Sequence, residues 1–250
     1  MNCITVPKNG KIIVCGDIHE HEEQLDKLLD KISTLSEMVL VSVGDIYGKG
    51  FGVHIAESIV DKFIKLSAEG RAHVIRGNHE LKSIKIARHN KQTTPQLAWL
   101  NKQPLSLAFE FYNKSRLIVI HGGVKPAHTW EDLATDIELS YIRTLDSAGS
   151  PIKLIKVKEE NGIFLFKAKT LGKSWHDVYD GRFGYIAAGH QARLDGIPKF
   201  YNYSCNLDTA VFHTGKLTAQ VFSANGKEEL FTFEGRAKYS NLQKMHSCSE

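Results

Sequence analysis

Lys11-Ile12-Ile13-Val14-Cys15-Gly16-Asp17-Ile18-His19 is the stretch from which the rest of the chain can be read. Its apolar, β-branched run predicts a short buried strand, and Gly16 ends it. Asp17 and His19 alternate across one residue, so in an extended loop both can point the same way. Outward from there, residues 22–32 place Leu25, Leu28, Leu29 and Ile32 at helical spacing. The unit is strand, polar loop, amphipathic helix, and it recurs. Residues 38–43 read as a strand, 44–52 as a glycine-rich loop, and 53–66 as a helix with Ile55, Ile59, Phe63 and Leu66 apolar, before a third strand at 72–75. Such alternation predicts an α/β architecture with adjacent, largely parallel strands.

Further along, residues 81–100 look helical with a break at Thr93-Thr94-Pro95, where proline can open a second helix at its first turn. Residues 107–112 and Arg116–Ile120 read as strands joined by an Asn113-Lys114 turn. Periodicity weakens through residues 124–184, which we read as a cap-like insert with a hairpin around Asn161-Gly162. Tyr185–Ala188 reads as a strand, residues 200–233 as a run of short strands, and 236–250 as a polar, frayed tail. Residues 1–235 are expected to form a single domain.

Composition is that of a soluble globular protein, with 42% hydrophobic and 24% charged residues. A net charge of +4 is too small to argue for nucleic acid and is compatible with an anionic substrate. Cys3, Cys15, Cys205 and Cys248 form no C-x-x-C pair, which favours a reducing compartment. No apolar run approaches the roughly 18 residues a membrane span needs, and residues 1–10 lack a signal-peptide core. The expected location is cytoplasmic.

Five polar clusters sit where apolar runs end: Gly16-Asp17-Ile18-His19, Gly44-Asp45, Gly77-Asn78-His79-Glu80, His121-Gly122-Gly123 and Gly189-His190. Read as loops at strand carboxyl ends, they can converge on one sheet edge. They would deliver two aspartates, an asparagine and four histidines, oxygen and imidazole donors suited to divalent metals. In this order, the motifs resemble the calcineurin-like metallophosphoesterases. Within these, the chain is most similar to the serine/threonine protein phosphatase branch, which also holds diadenosine tetraphosphate hydrolases and bacterial polynucleotide phosphatases. The stretch from Asn206 to Phe212, followed by Gly215-Lys216-Leu217-Thr218-Ala219, resembles the branch's final strands, so the likeness runs from about residue 11 to 222.

The resemblance implies a two-sheet β-sandwich flanked by helices, with the metal site on loops at strand carboxyl ends. It implies two divalent metal ions, with manganese the first choice and iron or zinc the others. Asp17 and His19 would hold the first metal, Asp45 would bridge, and Asn78, His121 and His190 would complete the second. A hydroxide between the metals would attack phosphorus directly, and His79 would protonate the departing oxygen.

Two departures stand out. The second motif of this branch reads GD-x-x-D-R-G, its later aspartate orienting the catalytic histidine and its arginine binding phosphate, whereas this chain has Gly48 and Lys49. Relatives also carry an arginine just before a glycine ahead of the last histidine, where this chain has Asp180-Gly181-Arg182. Lys49, Arg76 and Arg182 are therefore the candidate substrate-binding cations. The expected substrate is a phosphoprotein or small phosphomonoester. Alternatives are a nucleotide, a dinucleoside polyphosphate or a polynucleotide end, and, in another class, a catalytically weakened phosphate-binding protein.

Overall fold

A computed structural model describes all residues except 36, 50, 51, 153, 161, 162, 169–171 and 239–250, and for 154–160 and 163–168 only the backbone. The Asn161-Gly162 turn and most of the polar tail lie outside the described residues. The order begins β1 (Cys3–Thr5), β2 (Lys11–Cys15), α1 (Glu22–Ser33), β3 (Met38–Ser42), α2 (Val53–Ala68), β4 (Ala72–Val74), α3 (Asn78–His89) and α4 (Pro95–Leu100). It continues with β5 (Ser106–Glu110), β6 (Arg116–Ile120), α5 (Asp132–Thr135), a 3-10 turn (Ile137–Ser140), β7 (Thr144–Leu145), β8 (Leu154–Glu160), β9 (Ile163–Ala168) and β10 (Lys173–Ser174). It ends with α6 (Trp175–Val178), β11 (Tyr185–Ala188), β12 (Lys199–Phe200), β13 (Ser204–Asn206), α7 (Val211–Thr214), β14 (Lys216–Ser223) and β15 (Gly226–Glu234).

Two sheets carry the site. The first runs β15-β14-β2-β3-β4 and the second β1-β5-β6-β11-β13-β12. In the first, β2, β3 and β4 are parallel; in the second, β6, β11 and β13 are parallel. Strands that run together end together, which is what brings their carboxyl-end loops into register.

The period of two along each strand decides what lies between the layers. Ile12, Val14, Val41 and Val43 of the first sheet meet Phe109, Leu117, Val119 and Ala187 of the second in the central core. The alternate residues Ile13, Cys15 and Leu40 face outward into a second core, where Leu25 and Leu28 of α1, Ile59 and Phe63 of α2, and Leu97 and Leu100 of α4 cover them. On the opposite side, Ile118, Ile120, Ile186 and Ala188 are covered by Leu133, Leu139, Ile142 and Trp175. The result is a two-sheet sandwich flanked by helices, as the resemblance implied. Truncating any of these fully buried isoleucines to alanine costs about 2–5 kcal/mol.

Several local expectations hold with shifted ends. Pro95 sits in the first turn of α4 and Thr94 caps it, its hydroxyl accepting from Leu97 N at 3.3 Å. The β5–β6 hairpin turns at Asn113-Lys114, with Lys114 at φ 68°. The last segment differs from a run of short strands: β14 and β15 form a long antiparallel hairpin whose β14 also pairs with β2. The buried apolar residues of the expected insert, among them Val124, Leu133, Leu139, Ile142 and Trp175, pack on the outer face of the second sheet, and among the described residues β8 and β9 pair only with each other. Among the described residues no helix is long and apolar enough to cross a membrane.

His176 shows how this outer layer depends on pH. Its ring stacks on Trp175 at 3.8 Å and on Tyr201 at 4.3 Å, and its Nδ1 meets Ser204 Oγ at 2.8 Å. Burial, assisted by the charge of Lys199, pushes its pKa down to about 3. A histidine kept neutral in the fold adds stability that is complete above its unfolded pKa of about 6.5 and is lost as pH falls from there toward 3. The urea midpoint should therefore fall between pH 7 and pH 5, and fall less in His176→Phe; equal drops in both proteins would show that His176 does not contribute.

Candidate metal centre

Each of the parallel strands hands one loop to the centre. The loop after β2 carries Asp17 and His19, and that after β3 carries Asp45, tied together where Asp45 O accepts from His19 N at 2.8 Å. The loops after β6 and β11 carry His121 and His190, and His121 O accepts from Gly189 N at 2.9 Å. The two sheets are joined at the centre itself, since Asp17 Oδ1 accepts from His190 N at 3.1 Å and His121 Nδ1 donates to Val43 O at 2.8 Å. Asn78 and His79 are not in a loop: they open α3, whose first turn is fixed when Asp45 Oδ1 accepts from His79 N at 2.9 Å.

Glycine is needed where these loops touch. A Cβ at Gly77 would collide with Asp45 Oδ1, and one at Gly189 with Asp17 Oδ1. Conversely, His19 (φ 46°), Asp45 (φ 53°) and His190 (φ 68°) hold left-handed backbone that non-glycine residues rarely adopt. Such conformations cost about 1–3 kcal/mol each and persist where the surroundings over-determine them.

The donor atoms form two groups that share Asp45. Asp17, His19 and Asp45 make one, and Asp45, His121 and His190 the other, the ligand atoms within each lying within 4.8 Å of one another. His19 Nε2 is 3.5 Å from Asp17 Oδ2 and 3.8 Å from Asp45 Oδ2. His121 Nε2 is 3.0 Å from Asn78 Oδ1 and 3.4 Å from Asp45 Oδ1.

These residues fit divalent cations on their own chemistry. Because Val43 O can only accept, His121 Nδ1 carries its proton. Burial and the charge of Lys49 push His19 down to about 3, and its neutral ring turns Nε2 toward carboxylate oxygens of Asp17 and Asp45, an arrangement that a cation between them would satisfy. His19 Nδ1 and His190 Nε2 are buried without a hydrogen-bond partner. Burial, together with the charge of Asp45, pushes Asp17 up to about 6. Burial and the same charge push Glu80 up to about 7. Burial would also raise Asp45, yet the surrounding histidines hold it well below the usual carboxylate range. His121 is raised to about 10 because Asp45, Asp17 and Glu80 outweigh its burial. The donor set contains no thiolate, which favours hard to borderline ions.

Around this core, His79 Nε2 lies 4.0 Å from Asp45 Oδ2, and its Nδ1 donates to Gly48 O at 3.0 Å. Lys49 Nζ reaches His19 Nε2 at 3.3 Å. Of the three expected substrate-binding cations, Lys49 alone has a contact with the centre among the described interactions. Arg182 is held elsewhere, 3.0 Å from Asp180 Oδ1 and donating to Pro126 O at 2.8 Å. Arg76 has a part-buried guanidinium with Arg88 as its charged neighbour.

Four residues near the centre have no role in the sequence reading. Arg143 bonds His190 O through Nη2 at 3.2 Å and approaches His190 Nδ1 at 3.4 Å. Asp208, pushed up to about 7 by burial and the charge of Asp17, follows β13. Glu80 accepts from Asp45 N, Gly77 N and Tyr47 N at 2.8, 2.8 and 2.9 Å, and so shapes the Asp45 loop. Glu20 Oε1 accepts from Gly48 N at 2.7 Å and Lys49 N at 3.0 Å. Glu80 lies within the Gly77–Glu80 cluster, and the sequence signal for Glu20 was its adjacency to Gly16-Asp17-Ile18-His19.

A divalent metal at about 100 times its dissociation constant should stabilise the protein by about 2.7 kcal/mol, read as a rise in the thermal midpoint. Gly189→Ala keeps every ligand but crowds Asp17, so it should lose most of that rise and most bound metal. Wild-type metal content in Gly189→Ala, measured by elemental analysis, would rule out the crowding argument.

The model of the calcineurin-like phosphoesterase family matches residues 10–194. Among solved structures, the chain is similar to a candidate diadenosine tetraphosphatase, with TM-score 0.66 and 23% identity over 94% of this chain and 98% of that one. It is similar to a protein serine/threonine phosphatase from Saccharomyces cerevisiae, with TM-score 0.52 and 16% identity over 94% and 84%. It is also similar to a cold-active protein-tyrosine phosphatase of a psychrophilic Shewanella, with TM-score 0.53 and 14% identity over 90% and 80%. At these identities the structural likenesses speak for the fold. No curated sequence matches the chain. A family match spanning 185 of 250 residues, on a sandwich whose strand ends gather this donor set, shows that the chain belongs to the calcineurin-like phosphoesterase family.

Proposed function

We propose that the protein is a two-metal phosphomonoesterase whose first substrate class is a phosphoprotein or small phosphomonoester, with nucleotides and polynucleotide ends as the alternative. The observation that carries the reading is the pair of donor groups sharing Asp45, with His79 facing the same carboxylate. Two divalent cations, manganese first, would neutralise phosphoryl oxygens and activate water near neutral pH. Asp17 and His19 serve one cation, Asn78, His121 and His190 the other, and Asp45 both.

The chain's own groups supply the remainder. His79, its Nδ1 proton committed to Gly48 O, presents Nε2 to the departing oxygen and acts as general acid. Lys49 and Arg143 provide the fixed positive charge that orients phosphate. Arg143 replaces Arg182 in that role, because its guanidinium lies on His190 while that of Arg182 is committed to Asp180 and Pro126. The buried free thiols Cys15 and Cys205 support a cytoplasmic setting.

With manganese and a small aromatic phosphomonoester, turnover should vanish in chelator and collapse in Asp45→Asn. His79→Asn should lose about 10²–10⁴-fold in kcat. No turnover with any divalent metal, alongside retained phosphate binding, would overturn the enzymatic reading. For the phosphate cations, Arg143→Ala should raise KM about 10-fold or more, as expected for a lost charged hydrogen bond, and Arg182→Ala should leave KM near wild type. The reverse order would return the role to Arg182. A panel of a phosphopeptide, a 3′-phosphorylated oligonucleotide and diadenosine tetraphosphate ranks the substrate classes.

A further inference from the structure

Position 48 is a glycine and offers His79 no side chain, and yet His79 is not left without an acceptor. Gly48 O lies 3.0 Å from His79 Nδ1. That carbonyl belongs to the peptide group joining Gly48 to Lys49, and the N–H of the same peptide group donates to Glu20 Oε1 at 3.0 Å. The same oxygen also accepts from Gly48 N at 2.7 Å. One peptide plane is therefore gripped by a buried carboxylate on its N–H side and by the imidazole on its carbonyl side.

A peptide group in this position transmits charge. An anion at the N–H draws the amide dipole into line and enriches the carbonyl oxygen, and chains of hydrogen bonds strengthen one another in this way when shielded from water. Glu20 is 4% exposed, so the carboxylate end of the link is shielded, while the His79–Gly48 end lies at the surface. Gly48 has φ 101°, and a Cβ there would lie 2.7 Å from Ser83 Oγ, so a glycine suits the conformation that aims the carbonyl at His79. Glu20 itself sits at φ 65°, a backbone region that a glutamate adopts only when its surroundings hold it there.

We propose that Glu20 is a positioning residue for the general acid: its carboxylate orients His79 through the Gly48–Lys49 peptide group, taking over a task for which no side-chain carboxylate is present at position 48. No bond is made or broken in this relay. Its consequences are that Nδ1 of His79 keeps its proton and that Nε2 faces the site. The proposal rests on the phosphoesterase reading above for its kinetic consequence, but its structural consequence is independent of turnover.

Glu20→Gln keeps an oxygen that can accept both amides and loses the charge; Glu20→Ala loses both. The general acid matters most when the departing oxygen is a poor leaving group. With manganese, Glu20→Ala should lower kcat by about 10–100-fold on an alkyl phosphate and much less on 4-nitrophenyl phosphate, the range expected when an outer hydrogen-bond partner is removed. Glu20→Gln should fall between Glu20→Ala and wild type. Lys49→Ala, which leaves the peptide link in place, should weaken both substrates alike. Losses of equal size on the two esters in Glu20→Ala would overturn the proposal and leave Glu20 a purely structural role. Without metal or substrate, ¹H–¹⁵N spectra of the histidine side chains should show His79 in the Nδ1–H tautomer in wild type and a mixture in both Glu20 variants. An unchanged His79 tautomer in folded Glu20→Ala would equally overturn it. Absence of turnover by wild type on either ester would strike the phosphoesterase reading alone, since the tautomer measurement still decides the relay.

Discussion

Acidic charge gathered where water cannot reach it is the constraint on which the centre is built. Asp17, Asp45, Glu80 and Asp208 are all buried within a few residues of strand ends. Their mutual repulsion, added to burial, holds three of the four carboxyls well above the ordinary carboxylate range. Buried charges are tolerated only when paired or bound to cations. Histidines supply part of the compensation, most of it from His121, but the nitrogen and oxygen lone pairs that face one another between the loops ask for metal. The candidate ligands thus destabilise the bare fold locally, and bound cations would repair it.

Holding such a centre open requires a frame that does not collapse around it. Each carboxyl-end loop is anchored by a strand buried on both faces, and the central core between the sheets is made of interlocking valines, leucines and phenylalanines. The loops then hold each other: Asp17 accepts from the backbone of His190 across the two sheets, and His121 donates to Val43. Left-handed backbone at three ligands and close glycine contacts at two neighbouring positions follow from that mutual fit. Strain at the site is the counterpart of rigidity below it.

Much of this architecture was legible in the chain. Short β-branched runs ending in glycine gave away the strands, and the unbroken apolar run Ile12–Cys15 read as a buried one. The candidate ligands were legible because each lies within a few residues of the end of such a run. Arg143 was not, since it follows a short 3-10 turn without periodicity and owes its place to the packing of Leu139 and Ile142 beneath the second sheet. Arg182 has a position in the sequence that resembles that of a phosphate cation, and here its neighbour Asp180 and Pro126 O hold its guanidinium. Asn78 and His79 read as loop residues because the pattern preceding them is a strand's, whereas Glu80 fixes Gly77 and turns the chain directly into α3. A backbone carbonyl has no letter of its own, so the acceptor on His79 could not be read at all.

Glycine at position 48 is where decay and reassignment of a catalytic task look alike in sequence and differ in space. Decay would leave an imidazole nitrogen facing no acceptor and a loop with no reason to keep its shape. Here the nitrogen has a carbonyl at hydrogen-bond distance, and the peptide group that offers it is fixed from behind by Glu20. Because a carbonyl can only accept, it selects the same tautomer that a carboxylate would, and it does so without placing another negative side chain beside Asp45. In a pocket already crowded with buried acids, moving the carboxylate one peptide group away relieves repulsion while the orientation of His79 is kept. The same displacement brings Lys49 under the control of Glu20, since the amide that closes the link is its own. On the proposed roles of His79 and Lys49, one side chain then sets the position of both, which argues for a loop shaped around catalysis over one retained only to bind phosphate.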